Sequence, residues 1–313
     1  MLKKLFAICP AAEVLARRMY KSGGGTSRLG KRFFQWYRRE DGKTEASVSI
    51  SQLGDSLKRL GIKAGDMLLV HSSMKGLQSV CASPGEIIRA LLELLGPEGT
   101  LVMPAFPYYK KDGPEEGSRA LDYDPKKTLA WTGILPNVFL TVKGTRRSRY
   151  PNNSLAANGR YAQEMFAREL EGERSHGEGS AWNFCAEHHA KVLFLGVKPD
   201  HALSEIHLGE DLLGDDWPIK DWYYRQKYRI REKDTWKEKE CLVRRSFWTR
   251  YLTEEYCVRR LKRAGMLSEP DSLCRGYMPD LYVFREWLLS ENRKGNLIFY
   301  RIPGRYWKRA GET

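Results

Sequence analysis

The feature that most constrains this chain is a strand, helix, strand succession between residues 67 and 103. Asp66 precedes the apolar run Met67 to Val70, the pattern of a strand buried on both faces. Ser83-Pro84-Gly85-Glu86 then carries a full set of helix start signals, with Ser83 as N-cap, Pro84 at the first helical position and Glu86 completing a capping box. That helix presents Ile87, Ala90, Leu91, Leu94 and Leu95 and stops at Gly96, after which Thr100 to Met103 reads as a second strand closed by Pro104. This is a βαβ unit, so the chain folds as an α/β domain and ligand groups collect at the carboxyl ends of its strands.

The flanking segments extend the pattern. Ile50, Leu53, Leu57 and Leu60 form a helical stripe closed by Gly61. Further on, Ala156 to Leu170 reads as a helix, Val192 to Val197 as another buried strand, and Glu205 to Leu213 as a short helix capped by Ser204 and ended by Gly214. Beyond Trp217 the chain is aromatic and basic, with periodicity too weak to place elements. Three segments follow: a basic amphipathic arm over 1–45, an α/β core over 46–216, and a region over 217–313 expected to complete the domain.

Charge divides along the same lines. The formal net charge is +14. Residues 1–45 hold 11 Lys and Arg against 4 Asp and Glu, and residues 217–313 hold 23 against 13, whereas residues 46–216 hold 19 against 22. Basicity therefore belongs to the two ends. In the arm, Leu2, Leu5, Phe6, Val14, Leu15 and Met19 alternate with basic residues, Gly23 to Gly25 suggest a hinge, and Lys31 to Arg39 a second interfacial helix. Such an arm either packs on its own domain or associates, in a salt-sensitive way, with an anionic membrane surface or partner. No apolar run approaches the roughly 18 residues of a membrane span. The opening MLKKLFAIC is interrupted by Pro10 and Glu13 before it makes a signal core, and six cysteines without a paired framework suit a reducing cytoplasm.

Two constellations carry chemistry. Gly65 to Ser73 ends a buried strand in small polar residues, where hydroxyls and free N–H groups suit an anionic or pantetheine-like ligand; Gly99-Thr100 and Gly177-Glu178-Gly179-Ser180 offer similar turns. These residues alone equally fit helix caps. The second is Ser204-Glu205-Ile206-His207-Leu208-Gly209-Glu210, where i and i+3 share a helical face and Glu210 can orient the His207 imidazole. Taken by itself this also fits a surface pair. Cys185 with His188 and His189 lacks metal-ligand spacing, so no metal is expected, and no G-x-S-x-G elbow is present.

Read in order, GDMLLVHSSMKGL, GPEGTLVMPAF, RRSRYPNNSLAANG, GEGSAW, VLFLGV and SEIHLGE resemble the successive motifs of the aminoglycoside 3-N-acetyltransferase family, over about residues 47–215. The resemblance implies a three-layer α/β/α sandwich and acetyl-CoA as co-substrate. It places the catalytic histidine on His207 with Glu210 as its acidic neighbour, and CoA-contacting turns on Ser72, Ser73, Thr100 and Ser180. Direct transfer is implied, with His207 taking a proton from the acceptor amine. Two departures bear on the acceptor pocket: Tyr150 stands where the family usually has histidine, and Ala181 where it usually has proline after GEGS. Tyr150 is therefore expected to line the pocket for a small-molecule amine, and His176 beside GEGS either lines it too or is structural.

A chain this basic suggests an anionic or neutral amino sugar, nucleotide-linked or lipid-linked, in surface polysaccharide synthesis; the runner-up is an aminoglycoside N-acetyltransferase of the antibiotic-resistance kind. A different class, nucleic-acid binding through Trp222, Tyr223, Tyr224, Tyr228, Trp236, Phe247, Trp248 and Tyr251, has the right interleaving of aromatic and basic residues but leaves the ordered motifs unexplained.

Overall fold

The computed structural model describes residues 2–22, 47–109 and 116–309. A six-stranded sheet forms its middle layer: β1 (Met67–Ser72), β2 (Thr100–Pro104), β4 (Arg146–Arg147), β5 (Leu155–Gly159), β6 (Lys191–Leu195) and β9 (Cys274–Met278), in the order β4-β5-β2-β1-β6-β9. β1 pairs parallel with β2 and β6, and the outer strands run antiparallel. A second sheet joins β3 (Leu121–Tyr123) to the hairpin β7 (Tyr223–Glu232) and β8 (Thr235–Arg244).

Strand alternation explains the layers. Leu68, Val70, Leu101, Met103, Leu193 and Leu195 point to one face, which the helices Ile50–Arg59, Pro84–Leu95 and Ile134–Phe139 cover. Met67, Leu69, Val102, Val192 and Phe194 point to the other, beneath the helices Ala181–Glu187, Leu208–Leu213, Glu254–Arg263 and Leu281–Arg293. The β1 side chains from Met67 to Val70 are buried on both sides, which makes the α/β domain read from the βαβ pattern a three-layer α/β/α arrangement, as the resemblance implies. The Ser83 capping box forms as read, with the Ser83 side chain taking the Glu86 N–H and the Glu86 carboxylate taking the Ser83 N–H.

Two local expectations fail. Ala156 to Leu170 is not a helix: Leu155, Ala156 and Ala157 pair antiparallel with β2, and Gly159 turns the chain at φ +126, where a Cβ would stand 2.1 Å from the Gly99 carbonyl oxygen. Burial beside β2 overrides the helical propensity of the alanines. The segment after β6 is divided, with a 3₁₀ turn over Ser204–His207 before the α-helix Leu208–Leu213, and the Ser204 hydroxyl donates to Ala202 O instead of capping it.

The region beyond Trp217 supplies β7, β8, β9 and two helices. Its aromatic residues are largely interior: Trp222, Tyr228, Trp248 and Tyr251 are buried, and Trp217, Trp222, Trp248 and Tyr300 pack ring on ring. They form a core and not a stacking platform for bases. From the arm, the helices Leu2–Ile8 and Pro10–Ser22 pack on the chain's own domain, where Arg17 bridges buried Glu13 (3.0 Å) and Glu254. The Gly23–Gly25 hinge and the Lys31–Arg39 helix lie outside the described residues. Among the described residues no helix is long and apolar enough to cross a membrane.

At the carboxyl end of the central strands, the loops after β1 and β6 meet glycine to glycine. A Cβ on Gly76 would stand 1.9 Å from the Gly196 carbonyl oxygen, a backbone atom that cannot swing aside. Gly76→Ala is therefore expected to lower stability by about 1–3 kcal/mol, the usual cost of overpacking, read as a lower urea midpoint at unchanged slope.

Candidate active site

The segment Ser204–Leu213, entered a few residues after β6, carries the central residue. Gly209 lets its helix lie directly on the helix Leu281–Arg293, since a Cβ there would stand 2.5 Å from Asn292 Nδ2. That contact aims His207 inward. Its Nδ1 lies 2.7 Å from Glu210 Oε1, the i,i+3 pairing expected from the spacing. Nδ1–H donates to the carboxylate in this tautomer, which is assigned from the partners, and Nε2 carries the lone pair.

Four further side chains surround that ring. His176, fully buried, meets it edge to face with centroids 5.4 Å apart and stacks on Trp182 at 4.6 Å. Asp211 holds the His176 backbone N–H (2.9 Å) and the Tyr223 hydroxyl (2.8 Å). Arg244, at the end of β8, places Nη1 2.6 Å from His207 Nδ1 and 2.8 Å from Nε2, and donates to Tyr300 Oη (2.9 Å) and Glu210 Oε1 (3.3 Å). Tyr300 donates to Glu210 as well (3.2 Å).

The electrostatics keep His207 neutral. Burial drives its pKa well below the imidazole range, and the charge of Arg244 and the neighbouring His176 add to this against the opposing pull of Asp211. Glu210 is pushed up to about 7, by burial first and by Asp211, with Arg244 opposing. Burial also pushes Asp211 upward, but its hydrogen bonds from His176 and Tyr223 outweigh that and hold it below the usual aspartate range. A neutral imidazole with an oriented tautomer in a shielded site is what a general base requires.

The other expected residues divide. His176, expected to line the acceptor pocket, lies edge to face with His207 but is itself fully buried. Tyr150 is not beside His207: its ring is buried with Tyr123, Tyr228, Ile230 and Cys241, and its hydroxyl donates to Glu173 O (2.6 Å), so nothing of it is offered to an acceptor. The residue of that motif that reaches the site is Asn153, which bonds Ser175 beside His176 (3.0 Å) and accepts the Trp182 indole N–H on its carbonyl (2.8 Å). Its φ of 50° is a left-handed conformation that asparagine tolerates.

Ser72 ends β1 beside a cavity of about 170 Å³ lined by His71, Phe106, Trp131 and Ser204, and its buried Oγ finds no partner among the described residues. Ser73 lies next to it and donates its N–H to Leu195 O. Thr100 begins β2 opposite Met67, at the far end of the strands from Ser72, and its Oγ1 accepts the Tyr161 N–H (3.0 Å). Ser180 caps the Ala181–Glu187 helix and borders a separate groove with Arg168 and Arg285. The structure therefore gathers Ser72 and Ser73 but not Thr100 or Ser180 with them. Among the described residues no group of three His, Cys, Asp or Glu is placed to hold a metal.

Arg244, Tyr300 and Asp211 join the site without having been singled out by sequence, and Tyr223, named only as a possible base-stacking residue, joins it through Asp211. Asp211 adjoins Glu210 and lies within reach of the same helical reasoning; Arg244 and Tyr300, 37 and 93 positions beyond His207, carry no local signal. The buried pair His71 and Glu205, 2.6 Å apart with His71 stacked on Phe194, is hidden inside motifs that point to other residues.

Known proteins resemble the chain across this whole region. The family model for aminoglycoside 3-N-acetyltransferases matches residues 69–270. Aminoglycoside N(3)-acetyltransferase IX of Micromonospora chalcea is 31% identical over 203 residues, covering 61% of this chain and 71% of that protein, while the type III enzyme of Salmonella is 27% identical over 54% of this chain and 61% of its own length. Among solved structures, AAC-IIIb in binary complex with CoASH has a TM-score of 0.67 at 22% identity, covering 82% of this chain and 100% of that one. A variant of AAC(3)-IVa in complex with a gentamicin has a TM-score of 0.65 at 23% identity, covering 85% and 96%.

Asp211 offers a test of the site's internal bonding. Its folded pKa is depressed, so the stability it contributes is present above the unfolded value of about 3.9 and is lost as pH falls through the lower folded value. Asp211→Asn is expected to cost on the order of 1–3 kcal/mol at pH 7, the range for a buried charge-assisted hydrogen bond. In urea titrations the gap between the two proteins should narrow below about pH 4; a gap constant with pH would mean that the carboxylate is not the source.

Proposed function

The chain belongs to the aminoglycoside 3-N-acetyltransferase family and is an acyltransferase with acetyl-CoA as its co-substrate; from that premise we propose that it acetylates a ring amine of an aminoglycoside or a related amino sugar, with His207 as general base. The observation that carries the reading is the neutral His207, oriented by Glu210 at 2.7 Å inside the segment that matches the family. The relatives' names and the gentamicin complex favour an aminoglycoside acceptor over the nucleotide-linked or lipid-linked amino sugar expected from net charge. Net charge is a poor guide because it sums residues that lie far from the site.

In this mechanism the neutral acceptor amine attacks the thioester carbon of acetyl-CoA. As the C–N bond forms, His207 Nε2 takes the amine proton, and Glu210 across Nδ1 stabilises the imidazolium. The tetrahedral intermediate then expels the CoA thiolate as the C–S bond breaks, and the proton passes from His207 to the sulfur. No acyl-enzyme is needed. Ser72, with its unpartnered buried hydroxyl at the carboxyl end of β1, is well suited to an amide of the pantetheine arm, and Ser73 adjoins it. Thr100 is satisfied elsewhere, and a CoA contact for Ser180 requires the ligand to reach the groove along the Ala181–Glu187 helix.

His207→Ala is expected to lower kcat by about 10²–10⁴ with little change in acetyl-CoA affinity. Thiol release against kanamycin measures the first and calorimetric titration with CoA the second. Near-full activity in the variant would rule out His207 as the base.

A further inference from the structure

Arg244 meets His207 where the acceptor must. With Nδ1–H of His207 committed to Glu210, the lone pair that performs the chemistry is on Nε2, and Arg244 Nη1 stands 2.8 Å from it. A guanidinium keeps its charge at any working pH, so this contact is a cation resting on the base. We propose that Arg244 tunes acceptor choice by charge within the amines the site accepts: it lowers turnover of those with several ammonium groups around the reacting amine relative to those with an oxyanion, carboxylate or phosphate, beside it. The proposal refines the amine-acetylation reading and rests on His207 as its base.

The local geometry supports exchange at this point. With Nδ1 protonated, Nη1 has two hydrogens to share among three acceptors, His207 Nε2, Glu210 Oε1 and Tyr300 Oη, all within 3.3 Å. The donor is over-subscribed, so Arg244 can leave Nε2 and remain bonded to Glu210 and Tyr300. An acceptor oxyanion would draw the fork away as a charge-assisted, bidentate partner and uncover the base. A polycation has no such group and adds positive charge beside a guanidinium already paired with Glu210 at 3.3 Å, with the Asp211 charge nearby. Arg244 sits in the C-terminal third, at the end of a strand whose partner β7 contributes Tyr223 to the same site.

A positioning role also follows, because the groups facing His207 are Glu210 and Asp211 from its own helix, His176 from the preceding loop, Arg244 from β8 and Tyr300 from the C-terminal segment. Of these Arg244 is the permanent cation, and its removal should let the imidazole protonate at higher pH.

The test compares wild type, Arg244→Gln and Arg244→Lys, each checked for unchanged thermal unfolding. Thiol release and calorimetric binding are measured with kanamycin, glucosamine and glucosamine 6-phosphate. Arg244→Gln is expected to raise the ratio of kanamycin to glucosamine 6-phosphate, in kcat/KM or in affinity, by at least tenfold, and to move the acid limb of the pH profile upward. Arg244→Lys, which keeps the charge, should leave that limb near the wild-type position. An equal loss for all three acceptors, or ratios unchanged in both turnover and binding, overturns the proposal. If no amine is acetylated although acetyl-CoA binds, the amine-acetylation reading fails by itself, and the binding ratios together with the His207 titration followed by NMR still decide the role of Arg244.

Discussion

The structure depends on burying β1 from both sides. Met67 and Leu69 enter one core while Leu68 and Val70 enter the other, so helices must cover both faces and the parallel neighbours β2 and β6 must pair in fixed register. A slip of one residue would exchange the two sets and bring the His71 and Ser72 side chains to the wrong faces. From that register follows the location of the chemistry. The loops leaving β1 and β6 emerge together, closed against each other at Gly76 and Gly196, and the chain beyond β6 delivers His207 to the same end.

The site is built on a balance of buried charge, and burial is its largest influence. Desolvation pushes His207 toward its neutral form and Glu210 toward its acid form, so neither is strongly ionised near neutrality, whereas Asp211 keeps its charge because two donors compensate it. Aromatic stacking gives this arrangement rigidity: Trp182 lies between His71 and His176, at centroid distances of 6.4 and 4.6 Å, and His176 in turn abuts His207. An imidazole fixed in this way, in the proposed role of base, loses little orientation when the reaction begins.

The parts of the molecule legible in the sequence are those with local causes. β1, the capped helix Pro84–Leu95, β2 and β6 each carry their own start, stop or burial pattern, and the His207–Glu210 pair follows from helical spacing within a recognisable motif. Where local and tertiary causes compete, reading fails. The alanines at 156 and 157 favour a helix in isolation but become strand in contact with β2, and Tyr150, which stands where relatives carry histidine, is turned into the core beside β7 and β8. The residues that complete the site from β8 and from the C-terminal segment have no pattern to announce them, because their positions are set by the β7–β8 hairpin and by an aromatic core assembled from distant sequence.

Charge teaches a related lesson. The basicity of the last third first suggests a partner surface, yet much of it is spent on pairs within the chain: Arg229 on Asp122, Arg225 on Glu240 and Arg285 on Asn183 and Glu286. In the arm, Arg17 is likewise taken up by Glu13 and Glu254, which fastens the helix Pro10–Ser22 to the domain. The exposed pairs among these contribute little and are screened at moderate salt. Arg244 differs because it is half-buried and directed at His207, where the lower effective dielectric leaves its field less screened than that of the exposed pairs. One half-buried guanidinium beside His207 therefore bears more directly on the proposed acceptor choice than a net charge of +14 summed over the chain.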